Sequence, residues 1–115
     1  MLFLVELDHV KPTAPIPPEA GRAFIEQIIL PTLARGEQLM AEKKIVAGGA
    51  VVGRVALRFI IEAESSAHVD QMITSLPVWP MTETRVTALI ALSERRQHVQ
   101  QLSESLKARD ARAID

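Results

Sequence analysis

Apolar positions recur along this chain with two different periods, and the switches between them lay out strand, helix, strand, strand, helix, strand, and a final helix. Leu2 to Val10 is apolar at first and then alternates, with Phe3, Val5 and Leu7 on one parity and Leu4, Glu6 and Asp8 on the other. Lys11 to Pro18 holds Pro12, Pro15, Pro17 and Pro18, which makes a stiff extended connector. Pro18 followed by Glu19 suits the first turn of a helix. From about Pro18 to Glu42 the period becomes helical, and Phe24, Ile25, Ile28, Ile29 and Leu33 form one stripe. Pro31 lacks an N–H and is expected to bend this helix near Ile28 to Leu30, or alternatively to divide it into two short ones; Gly36 is a second weak point.

Ile45 to Val52 reads as a strand containing Gly48-Gly49, which marks a bulge or close backbone approach, or else a flexible hairpin. Arg54 to Glu64 alternates most cleanly: Val55, Leu57, Phe59, Ile61 and Ala63 oppose Arg54, Ala56, Arg58, Ile60 and Glu62. A short helix spans Ser65 to Ser75, capped by Ser65 or Ser66. Leu76-Pro77-Val78-Trp79-Pro80 ends it, because neither proline can continue a helix. Val78 and Trp79 either plug the end of the core, or Trp79 also walls a small-molecule cleft. Met81 to Leu92 alternates again, Val86, Ala88 and Ile90 opposing Glu83, Arg85 and Thr87. Ser93 to Asp115 is helical in composition. Leu92, Val99, Leu102 and Leu106 form a narrow stripe that either lies on its own domain or straps across a partner.

This order is the split βαβ, ferredoxin-like α+β arrangement, with a four-stranded antiparallel sheet and helices on one face. It assigns residues 1–92 to that domain and 93–115 to a C-terminal helical extension. Leu4, Ala56, Ile60 and Leu89 make the second sheet face too apolar for water, so the expectation is a homodimer or larger homo-oligomer. Two sheets would pack face to face as a dimeric α+β barrel.

At 115 residues, with 48% hydrophobic but only 3% aromatic residues, the chain builds one aliphatic core. Its net charge of −1 gives no electrostatic case for nucleic acid or an anionic membrane. The absence of cysteine excludes disulfides and thiolate chemistry. No apolar run approaches a membrane span and no basic leader precedes the first strand, so the chain reads as cytoplasmic.

With the first and third strands central, Glu6 neighbours Arg58, and Arg85 approaches Glu6 or Asp8. Such a set of Glu6, Asp8, Arg54, Arg58, Glu62, Glu83 and Arg85 offers either an acid/base and anion-binding cleft or ion pairs that merely satisfy one another. His9 ends the first strand near the mouth of that cleft and is the histidine best placed to carry a proton. No histidine and carboxylate stand at metal-ligand spacing, and Gly48-Gly49…Gly53 lacks a dinucleotide pattern, so no metal or cofactor is expected.

Leu76-Pro77-Val78-Trp79-Pro80, the strand end Val86-Thr87-Ala88-Leu89 and the opening Met1-Leu2-Phe3-Leu4-Val5 resemble the muconolactone delta-isomerase family, whose layout covers roughly residues 1–92. The resemblance implies a 1,3-proton shift in a small carboxylated lactone, an intermediate of aromatic catabolism. In this chain that gives the proton to Glu6 or Glu62 and the carboxylate to Arg58, while the reading of the residues adds His9 as a proton carrier and Arg54, Arg85 and Trp79 around the substrate. A noncatalytic oligomeric module that binds a small molecule, or only a partner, is the alternative. This chain departs from the family: Gly49-Ala50 stand where a Trp-Arg pair is found, Leu4 and Arg54 replace histidines, and Leu57-Arg58 replace Asn-Tyr.

Overall fold

A computed structural model describes residues 1–114. The strands are β1 (Leu2–His9), β2 (Ile45–Ala50), β3 (Ala56–Glu62) and β4 (Thr82–Leu89). The helices are α1 (Pro18–Phe24), α2 (Leu30–Ala41), α3 (Ser66–Thr74) and α4 (Leu92–Ile114). The strands form one antiparallel sheet in the order β2-β3-β1-β4, as the alternation predicts for the ferredoxin-like α+β fold. Phe3, Val5 and Leu7 are buried on the helix side against Phe59, Ile61, Leu39, Val69 and Ile73, while Leu4, Glu6 and Asp8 on the other face are half-exposed.

Pro31 does not divide the long helix. A π-helical turn, Ile25–Ile29, joins α1 to α2, and the Leu30 N–H bonds back to the Ile25 carbonyl. That wider turn absorbs the bond Pro31 cannot donate, and both flanking residues keep right-handed helical angles. The inserted residue rotates the rest of the helix by about 100°. Beyond the turn the buried line therefore runs through Thr32, Gly36 and Leu39, and Leu33, expected in the stripe, is exposed.

Gly48 resolves the glycine alternatives. Its φ is +132°, and a Cβ there would lie 2.1 Å from the Arg58 carbonyl oxygen, so the neighbouring backbone occupies the side-chain space. A bulge between Ile45 and Ala47 adjoins it. The turn after β2 is longer than the alternation suggests: β3 starts at Ala56, leaving Arg54 and Val55 in the loop.

The proline loop divides its two large residues. Val78 is 3% exposed and plugs the core, its N–H donating to the Thr32 hydroxyl at 3.1 Å, whereas Trp79 is 39% exposed and faces outward. A second expectation also needs correction. α4 does not lie on its own domain: every described side chain from residue 92 to 112 is exposed, and the chain spans 78 Å along its longest axis. Among the described residues no helix is long and apolar enough to cross a membrane.

Candidate functional site

The sheet register delivers the expected cross-strand neighbours on the open face. Glu6 stands between Arg58 on β3 and Arg85 on β4, and Asp8 stands between Ala56 and Glu83. Arg58 is shared by two carboxylates, with Nε 3.5 Å from Glu6 Oε1 and Nη2 3.0 Å from Asp8 Oδ1. Arg54 reaches the same Asp8 oxygen from its loop. Glu6, Asp8, Arg58, Glu83 and Arg85 together line a recess of about 400 Å³.

Three of the expected site residues stand elsewhere. Glu62 lies at the other end of β3, opposite Leu2, with its carboxylate 2.8 Å from the Met1 ammonium. Six strand residues, roughly 20 Å, separate that end from Ala56 beside Asp8. His9 shares the parity of Leu7 and so emerges on the helix side, its ring centroid 5.0 Å from that of Phe24. Trp79 also lies on that side, in a groove with Asp70, Ile73 and Val86.

The helix side holds the more apolar space. A cavity of about 170 Å³ lies between α2 and the end of the sheet, walled by Leu7, Ile29, Leu33, Leu57 and Val78. Its polar groups are few: the Thr32 and Thr82 hydroxyls and Arg54. A recess lined by His9, Phe24, Ile16 and Met81 adjoins it across Thr82, which lines both. An apolar chamber with a small number of convergent polar groups is the usual form of a small-molecule site.

Thr32 and Phe24 escape a reading of the sequence in the roles they hold here. The signal for Thr32 is its spacing: it stands four residues after Ile28, on the buried line of the helix, where an aliphatic side chain is the default. Arg54 is assigned from sequence to the open face, yet it belongs to both regions, walling the cavity while its guanidinium pairs with Asp8.

A family model described as muconolactone delta-isomerase matches residues 1–95, and nearly all of α4 lies beyond it. No curated protein matches the chain. Among solved structures, muconolactone isomerase is similar at 20% identity with a TM-score of 0.64, covering 79% of this chain and 90% of that one. A 5-chloro-2-hydroxyhydroquinone dehydrochlorinase from Burkholderia phenoliruptrix AC1100, solved in complex with 2,5-dihydroxybenzoquinone, is similar at 24% identity with a TM-score of 0.58. That match covers 82% of this chain and 98% of the other. Both likenesses are of fold.

Proposed function

The chain belongs to the muconolactone delta-isomerase family, and we propose that it moves a proton within a small carboxylated lactone, or a related ring compound of aromatic degradation, held in the helix-side cavity. The observation that carries this reading is the apolar chamber of about 170 Å³ with Arg54 in its wall. That volume is close to the roughly 150 Å³ that takes a benzene-sized ring, so it accommodates one small ring.

In this reading Arg54, whose guanidinium also pairs with Asp8, binds the carboxylate or the carbonyl oxygen. His9, across Thr82, carries the proton. The imidazole takes it from the saturated ring carbon γ to the carbonyl, next to the conjugated double bond, and the electron pair moves through that double bond onto the carbonyl oxygen. The same proton is then returned to the carbon beside the carbonyl, so only its position and that of the double bond change. The step needs no cofactor.

The open sheet face is assigned to a second copy of the chain. Leu4, Ile60 and Leu89 are half-exposed there around the Glu6, Asp8 and Arg58 cluster, and a facing sheet covers them all. A second reading puts the substrate in the open-face recess, with Glu6 as proton carrier and Arg58 and Arg85 as anchors. Its support is that Arg85 lines this recess directly opposite Glu6.

Calorimetric titration with a saturated carboxylated lactone tests the location. Ala50→Trp at the cavity wall should weaken binding roughly tenfold or more while Arg58→Ala leaves it intact. The reverse pattern moves the site to the open face. Tight binding without turnover of the unsaturated lactone makes the chain a noncatalytic binding module.

A further inference from the structure

Besides the open sheet face, two apolar surfaces among the described residues stand unpartnered, and neither meets the other. The first is α4. Its apolar residues Leu92, Val99, Leu102 and Leu106 follow spacings of seven, three and four, a narrow seam along one side, and all four are at least 50% exposed. Arg95 and Arg109 complete that seam in its remaining positions. Most helical stability in proteins comes from packing an apolar face, and within the single chain this seam is exposed.

The second surface is the groove between α3 and β4, beside the core rather than in it. Trp79 and Val86 are 39% and 44% exposed there, and Val69 and Ile73 form its inner wall. Asp70 is the charged residue that lines both halves of the groove. The groove takes most of its occupant's length: β4 runs about 26 Å, and α4 about 34 Å.

We propose that α4 of one copy docks in the α3–β4 groove of a second copy, its seam over Trp79 and Val86 and an arginine of the seam against Asp70. Charge selects this occupant. Pairing α4 with a parallel α4 stacks Arg95 on Arg95 and Arg109 on Arg109. The antiparallel register that joins Leu102 to Leu106 sets Val99 against Arg109. The groove instead offers a carboxylate to the arginine and an aromatic anchor to the leucines. The chain's own groove is disfavoured because only Ile90 and Ala91 separate β4 from α4, and the helix leads away from the sheet. A reciprocal exchange buries two footprints about 26 by 10 Å, roughly 1,000 Å² counted on both partners, at the lower edge of specific interfaces. Reciprocity also closes this interface at two copies.

Because the chain has no cysteine, full-length Leu102→Cys and Val86→Cys variants can be mixed and treated with a short bifunctional maleimide. The expected result is a covalent dimer containing one of each variant, roughly tenfold or more above that from either variant alone. Three results would overturn the proposal. They are self-coupling of Leu102→Cys at the same level, closure within one chain when both changes are combined, and no coupling above that of a surface Ala111→Cys control.

Discussion

Arg58 does not pair only with its cross-strand neighbour. It stands opposite Glu6, yet its Nη2 reaches diagonally to Asp8, 3.0 Å from Oδ1 and 3.3 Å from Oδ2. Both side chains are about one-third exposed, which places the pair between a surface contact and a buried one. In a double-mutant cycle, Asp8→Asn with Arg58→Ala should give a coupling of roughly 1 kcal/mol by urea denaturation. That coupling should shrink in 1 M salt. A coupling near zero at low salt would mean that Arg54 alone satisfies Asp8.

Thr32 holds the proline loop to α2 through the Val78 N–H. Thr32→Val keeps the shape and removes the acceptor, leaving a buried donor unsatisfied. Stability should fall by roughly 1–3 kcal/mol, while Thr32→Ser should recover most of it.

Gly48 and Gly49 are adjacent and should behave oppositely. Gly48→Ala meets the Arg58 carbonyl at a positive φ and should cost several kcal/mol, on the order of 3 or more, or prevent folding. Nothing lies within 4 Å of a Cβ at Gly49, so Gly49→Ala should stay within about 0.5 kcal/mol. Thermal melts of the two variants side by side provide the comparison.

Ile60 lies on the open sheet face, opposite Leu4. Ile60→Lys should abolish the sheet-to-sheet association, lowering the mass seen by light scattering by half without altering the circular dichroism, because the change leaves the helix-side core and α4 untouched. A wild-type protein that already scatters as a monomer would remove the facing sheet.

The strand order and register were legible because alternation with a period of two assigns every side chain of β1, β3 and β4 to a face, and one buried face allows no slip. The Glu6–Arg58 neighbourhood comes from that alone. His9 was harder to place: the sequence sets it at the end of β1, but its parity with Leu7 turns it away from Glu6 and toward Phe24. The line Thr32, Gly36, Leu39 was hidden because Pro31 reads as a bend, whereas the helix absorbs it as a π-turn. The apolar helix-side cavity was not legible at all, since it arises from the spacing between α2, the proline loop and the sheet end, which no local pattern records.

The direct test of the functional account is the rate of double-bond migration in an unsaturated carboxylated lactone, monitored by ultraviolet absorbance for wild type, His9→Gln and Glu6→Gln. If the helix-side cavity is the site, His9→Gln loses a factor of roughly 10²–10⁴ in kcat and Glu6→Gln stays near wild type. Loss with Glu6→Gln and retention with His9→Gln would contradict it.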